Sequence, residues 1–395
     1  MIHSMNVQTL VKEVEGYTGA RLPQYIEELR ELCAIDSDSY NKPGLDKMAS
    51  YLAARMRGLS MDVTVIERER WGNDVLGVLH GNGYPGSTGR QRVLLLGHSD
   101  TVYPVGTADA RPLRVEGDTM YGPGVCDMKG CILAAIYAIE ALVALEYRAF
   151  GEIRLLCVSD EEIHQRHSED VMQQVCQDCD EAFVLEAARA NGDLVSARKG
   201  NASYTLTARG RAAHAGVEPE KGRNAILELA YQLLQFQSLN GWREGITINP
   251  GVISGGTVSN VVPDYAQARI DLRFLDEASR LATEERWWEM LKRPHIEGVE
   301  LTLERSPDMK SPMVPTAESM HMVQQAQEIA HMLGFSVGHV LTGGSSDASY
   351  TTGFGVPTLD GLGPIGGLDH SPHEYLLASS VAPRTALLAG LIATA

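Results

Sequence analysis

The feature that most constrains this 395-residue chain is its rhythm of apolar runs, which alternates between strand length and helix length and then changes character midway. Val63–Ile66, Val75–Leu79, Val93–Leu96, Ile153–Val158 and Ala182–Leu185 are short apolar or alternating runs bounded by turn residues, the pattern of strands. Pro23–Ile35, Leu45–Leu59 and Cys131–Leu145 carry helical spacing, and a more polar helix is predicted near Ser168–Cys179. Such alternation predicts an α/β layer with a central sheet covered by helices. From about Ala197 the order becomes β-α-β-β-α-β, a two-layer α+β unit of the ferredoxin-like kind. Beyond Pro312 helix and strand alternate again. The prediction is a larger α/β domain, residues 1–197 and 312–395, interrupted by a smaller inserted domain, residues 198–311.

The formal charge of −17 repels phosphate backbones and anionic lipid, which argues against a nucleic-acid partner or a membrane surface. Cys131–Leu145, the most apolar stretch, is interrupted by Glu140 and is shorter than the ~20 residues a membrane span needs. Met1–Glu15 lacks the basic flank and apolar core of a secretory signal. Six irregularly placed cysteines then predict reduced thiols and a cytoplasmic location. Cys176 and Cys179 form a single CxxC with no second pair to complete a zinc site.

The polar residues that stand out follow apolar strands, where α/β sheets collect their active groups. Strand Val93–Leu96 leads into His98 and Asp100, which share a face, so Asp100 can hold one imidazole nitrogen while the other binds a metal. Asp127 follows a Gly-Pro-Gly loop at the start of a long apolar helix and, taken alone, reads as a helix cap. Asp160, Glu161 and Glu162 end the strand Ile153–Val158, where adjacent carboxylates need a compensating cation or proton. Glu186 follows Ala182–Leu185, and His370 follows a glycine-rich apolar run. Each is singly explicable as structure. Together they make an imidazole–carboxylate set suited to zinc, with a carboxylate shared between two ions suited to a two-metal hydrolase.

The strings GHSDTVYP (97–104), YGPGVCDMKG (121–130), SDEE (159–162), FVLEAAR (183–189), RGRAAHAG (209–216), GGTVSNVVP (255–263), GGSSDASY (343–350) and LDHSPHEY (368–375) resemble the di-zinc metallopeptidases related to glutamate carboxypeptidase, a family that includes acetylornithine deacetylase, succinyl-diaminopimelate desuccinylase and aminoacylases. The resemblance implies a zinc-peptidase-like catalytic domain with a central mixed sheet and an inserted dimerisation or lid domain. It implies two Zn2+ per chain, with Co2+ or Mn2+ as possible substitutes. Asp127 would bridge the ions, His98 and Glu186 would complete one site, and Glu162 and His370 the other. Asp100 would orient His98, Glu161 would be the general base, and the peptide after Asp127 would be cis. His214 would steady the oxyanion in a neighbouring subunit of a homodimer, Asn260 and Arg273 would hold a substrate carboxylate, and Gly343 and Gly344 would line the pocket. The substrate would be a small molecule bearing a carboxylate, cleaved at the adjacent amide in the manner of a glutamate carboxypeptidase or, alternatively, of an N-acyl-amino-acid deacylase.

One departure from the family pattern follows the paired glutamates: Ile163-His164-Gln165-Arg166-His167 replaces x-Gly-Ser, with His164 and His167 expected as solvated loop residues. Two rival readings are weaker. Gly361–Gly366 matches GxGxxG but is not followed by the helix and βαβ unit a dinucleotide site requires. A catalytically dead metal-binding relative would be expected to lose a ligand or the base, and none is missing.

Overall fold

The computed structural model describes residues 5–82, 91–163 and 167–395. The chain divides into two compact units, Met1–Ser196 with Pro315–Leu341 and Ser346–Ala395, and Ala197–Val314 with Thr342–Ser345. The short loop Thr342–Ser345 therefore groups with the second unit, although the sequence around it belongs to the first.

The first unit is built on a six-stranded sheet among the described residues. Its spatial order is Asp62–Ile66, Asp74–His80, Glu152–Val158, Arg92–His98, Glu181–Val184 and Thr358–Leu359. The first two junctions are antiparallel and the other three parallel, so the sheet is mixed. Arg92–His98 is buried from Val93 onward, as a central strand covered on both faces must be. Helix Lys129–Ala144 is apolar around nearly its whole circumference and is buried accordingly. It joins one continuous core with helices Val7–Ala20, Ala317–Leu333 and Ala378–Thr394. Truncating a core leucine such as Leu95, which is fully buried, would cost about 2–5 kcal/mol. No helix among the described residues is long and apolar enough to cross a membrane.

The second unit has four antiparallel strands in the order Thr247–Gly255, Tyr265–Phe274, Gly200–Arg209, Glu300–Arg305, the ferredoxin-like arrangement. Along Tyr265–Phe274 every second residue, Ala266 through Phe274, is buried, which defines the covered face. Helices Ala225–Gln237 and Glu277–Leu291 contribute to the core beneath that face, where Phe236 and Trp287 stack at 4.6 Å. Both helices start on side-chain caps: Asn224 accepts the Leu227 N–H and Asp276 the Ser279 N–H.

Candidate metal centre

Strand exits of the first unit bring His98, Asp127, Glu162, Glu186 and His370 together. His98, Asp127 and Glu162 each present a ligand atom, and these atoms lie within 4.8 Å of one another. The two oxygens of Asp127 face different imidazoles: Oδ1 lies 2.9 Å from His98 Nε2, and Oδ2 lies 3.2 Å from His370 Nε2. His370 Nε2 is also 3.2 Å from Glu162 Oε2, and Glu186 Oε1 is 3.9 Å from His98 Nε2. The peptide Asp127–Met128 is cis. Asp127 is not the helix cap that its position suggests: Met128 occupies the cap position of Lys129–Ala144, without a side-chain cap bond, while the Asp127 carboxylate turns to the imidazoles.

Asp100 is fully buried and ties two parts of the centre together. Its Oδ1 is 3.2 Å from His98 Nδ1, and its two oxygens accept the backbone N–H groups of Glu161 and Glu162 at 3.2 and 3.1 Å. Ser39 donates its hydroxyl to Asp100 Oδ2 at 2.6 Å. With His98 Nδ1 turned to Asp100, Nε2 is left for Asp127 or a metal.

Asp160, the third carboxylate of the acidic run, turns away from its neighbours. Its Oδ2 accepts the N–H groups of His167 and Ser168, and burial pushes its pKa up to about 6. Beneath it, buried Asp74 accepts the hydroxyls of Ser159 and Ser168 and pairs with Arg68 at 3.0 Å. Both ends of the segment carrying Glu161 and Glu162 are thus pinned. His164 and Gln165 lie outside the described residues. His167 is not a solvated loop residue, because its ring stacks on Trp71 with centroids 4.0 Å apart.

The electrostatics are those of a donor set that attracts cations. Burial would lower the pKa of His98, but hydrogen bonds to Asp100 and Asp127 outweigh it and hold the imidazolium well above the usual histidine range. Hydrogen bonds to Asp127 and Glu162 push His370 up to about 11. Burial pushes Glu162 up to about 7, against the hydrogen bond from His370. Burial would also raise Asp127, yet the two histidines hold it well below the usual carboxylate range. Glu162 Oε1 is buried with no hydrogen-bond partner, a lone pair that a metal ion would satisfy. Imidazole and carboxylate donors at this spacing fit zinc.

Glu374 is the functional residue that sequence reasoning misses. It is buried, and it accepts the N–H groups of Gly124, Cys126 and Asp127 at 2.8–3.0 Å and the hydroxyl of Tyr103 at 2.7 Å. It therefore holds the loop that carries Asp127. His370 itself has φ +60°, a left-handed conformation uncommon for a residue with a side chain and concentrated at functional sites. Cys176 and Cys179 carry no metal cluster among the described residues, and Cys179 Sγ contacts the Val175 carbonyl.

His214, Asn260, Arg273, Gly343 and Gly344 belong to the second unit. His214 pairs with Val261 in a two-stranded ladder, and Ala215 N–H donates to the Asn260 carbonyl at 3.0 Å, so His214 and Asn260 are neighbours. Arg273 is at the other end of the sheet, registered with Asn201 and Thr247, whereas Tyr265, the first residue of its strand, is registered with Arg209. Eight residues of strand at ~3.3 Å each separate Arg273 from Tyr265, about 26 Å, so Arg273 and Asn260 do not meet on one carboxylate within a single chain. Arg273 Nε donates to Asp271 at 2.8 Å. Gly344 accepts the guanidinium of Arg198 at 3.0 Å, a nearly buried arginine that the sequence motifs do not single out.

A mixed-sheet unit that gathers imidazoles and carboxylates at its strand exits defines a metallohydrolase. The chain belongs to peptidase family M20/M25/M40, whose sequence profile matches residues 94–394. It is 28% identical over 379 residues to carboxypeptidase G2 from a Pseudomonas species, covering 94% of this chain and 89% of that protein. It is 26% identical over 315 residues to succinyl-diaminopimelate desuccinylase from Alkalilimnicola ehrlichii, covering 75% of this chain and 82% of that protein. The fold is shared with aminopeptidase PepT from Bacillus cereus, with a TM-score of 0.81 and 22% identity over 94% of this chain and 98% of that one. The chain is thus a metallopeptidase or amidohydrolase of this family.

Proposed function

We propose that this protein is a two-metal hydrolase that cleaves an amide bond next to a free carboxylate, in the manner of a glutamate carboxypeptidase. The observation that carries the reading is Asp127, whose two oxygens face His98 and His370 separately, as a bridging ligand requires. Asp127 would hold both ions, His98 and Glu186 one of them, Glu162 and His370 the other. Bound there, zinc supplies a lowered water pKa, near 7, and polarises the amide carbonyl. Glu161, fixed through its N–H to Asp100, takes the proton of the attacking water and delivers it to the leaving amine. Asp100 keeps His98 in the ligating orientation.

His214 supports the oxyanion role. Its Nδ1 accepts the N–H groups of Gly216 and Val217, both at 3.1 Å, which assigns the proton to Nε2 and leaves Nε2–H as a donor. In a homodimer His214 and Asn260 would serve the neighbouring chain's centre, while Arg273, Gly343 and Gly344 would line the carboxylate end of the substrate pocket. The edge strand Thr247–Gly255 exposes Val252 and Ile253, and helix Ala225–Gln237 exposes Ile226, Leu227 and Leu234, apolar surface that a second copy would cover. The free cysteines fit a cytoplasmic setting.

Amine release by zinc- or cobalt-loaded protein from N-acyl amino acids, dipeptides and pteroylglutamate tests the reading. Cleavage confined to C-terminal glutamate substrates supports the carboxypeptidase. Preference for acetyl or succinyl amino acids makes the protein a deacylase, the reading that its likeness to a desuccinylase and an acetylornithine deacetylase favours. No cleavage by fully metal-loaded protein overturns both.

A further inference from the structure

Glu186 stands two residues beyond the end of its strand, Glu181–Val184, where the pairing with Arg92–His98 has already stopped. Leu185 adds one bond, from its N–H to the Leu96 carbonyl at 2.9 Å. From there the main chain is held by the loop 361–365. The Glu186 carbonyl accepts the Gly363 N–H at 2.9 Å, and Ala188 N–H donates to the Pro364 carbonyl at 3.1 Å. The approach is close: a Cβ on Gly363 would fall 2.9 Å from the Leu185 carbonyl oxygen.

That loop is gripped in turn by Arg384, on helix Ala378–Thr394. Arg384 is 2% exposed, and its three guanidinium nitrogens donate to the carbonyls of Gly363, Gly192 and Gly361 at 2.5–3.1 Å. All three glycines are buried. Gly192 belongs to the turn that follows Glu186, closed by its N–H on the Arg189 carbonyl at 2.7 Å. One planar group therefore holds both the turn after Glu186 and the loop beside it. No carboxylate among the described residues pairs with Arg384, and burial draws its pKa down to about 10. A buried cation without a counter-ion destabilises a fold unless its hydrogen bonds are needed. A helix packed into the apolar core does not need them, whereas buried loop carbonyls do.

We propose that Arg384 is a positioning residue for the metal centre: by holding the loop 361–363 and the turn at Gly192 against the segment between them, it fixes Glu186 as a ligand of the ion that His98 and Asp127 also hold. The inference rests on the two-metal reading above and adds a residue that acts only through Glu186.

Titration of metal-free protein with Zn2+ against a chromophoric chelator tests it, because affinity is read without turnover. Arg384→Lys keeps a buried cation but cannot span both segments with one planar fork. It is expected to weaken one of the two ions about 10–100-fold and to leave the other unchanged. Glu186→Ala should weaken the same ion. The double variant should bind Zn2+ no worse than Glu186→Ala alone, because the arginine then has nothing left to position. Near-ultraviolet circular dichroism confirms the fold, and Arg384→Gln, which keeps amide donors without the charge, carries the same expectations should the lysine variant not fold. Losses that add in the double variant overturn the positioning role and make Arg384 a general support of the fold. Unchanged Zn2+ affinity in the folded Arg384 variant overturns it as well, and both results leave the two-metal reading intact. A Glu186→Ala protein that holds two ions as tightly as the wild type takes Glu186 out of the ligand set and overturns that assignment and the inference together.

Discussion

Glu374 Oε1 accepts the backbone N–H of Asp127 at 3.0 Å, so a carboxylate four residues beyond His370 positions the carboxylate that His370 faces. The two are 247 residues apart in sequence, and the contact closes the loop 368–375 onto the loop 121–127. Tyr103 shares in this closure, with its hydroxyl 2.7 Å from Glu374 and 2.9 Å from the Ser371 carbonyl. Asp127 can therefore face two imidazoles at once because its main chain is held from behind by Glu374.

Glu374→Ala would leave three buried N–H groups without an acceptor. At ~1–3 kcal/mol for each orphaned donor, partly relieved by relaxation, a stability loss of about 3–5 kcal/mol is expected. Tyr103→Phe removes one donor and is expected to cost about 1 kcal/mol. Chemical denaturation of both variants checks the order, and metal titration should show weaker binding in Glu374→Ala. Equal stability of Glu374→Ala and the wild type would remove Glu374 from the role of loop support.

Glu161→Gln preserves shape and removes the proton acceptor. Because the Glu161 N–H, and not its side chain, bonds to Asp100, the main chain of the segment should stay in place. Turnover is expected to fall by about 10²–10⁴ while metal stoichiometry is unchanged. Metal analysis by mass spectrometry alongside steady-state kinetics checks both halves, and an unchanged kcat would take the proton-transfer role from Glu161.

Protons and metal ions compete for the same lone pairs, which gives the pH dependence a definite sign. His98 and His370 have pKa values raised above that of the unfolded chain, His370 to about 11, and burial raises Glu162 to about 7. Metal binding at pH 7 should release protons, and apparent affinity should fall as pH is lowered. In metal-free protein the raised histidines contribute stability that is fully present below about pH 6.5 and is lost as pH rises toward their folded-state values. Raised Glu162 acts in the same direction, since its ionisation is harder in the folded state. The melting temperature of metal-stripped protein should therefore fall from pH 6 to pH 9, and the gap between stripped and zinc-loaded protein should widen. Calorimetry across that range, with titrations in buffers of different ionisation enthalpy, checks the sign.

The centre is largely legible in the sequence because His98, Glu162 and Glu186 each follow an apolar strand whose end is easy to recognise. Asp127 is legible only through its motif, since a carboxylate before an apolar helix reads equally as a cap. Glu374 is hidden because its partners are main-chain N–H groups far away in sequence, and nothing in LDHSPHEY separates it from the neighbouring His373. The separation of Asn260 from Arg273 follows from the direction and length of one strand, which pairwise motif matching does not represent.

That separation leads to the last prediction. With His214 and Asn260 at one end of the second unit's sheet and Arg273 at the other, the shared site proposed above needs two chains to apply all three to a single substrate. His214→Ala is expected to lower kcat about 10²–10³ without loss of metal, the cost of one oxyanion donor. Mixed with Glu161→Gln under conditions that allow subunit exchange, it should regain activity, because half of the mixed sites would combine an intact base from one chain with an intact donor from the other. The Ile253→Arg variant, which places a charge on the exposed edge strand, should weaken self-association and lose activity in parallel. Light scattering gives the mass and kinetics gives the recovery. Full activity in a monomeric Ile253→Arg protein would refute the shared site, since His214 would then have to act within its own chain.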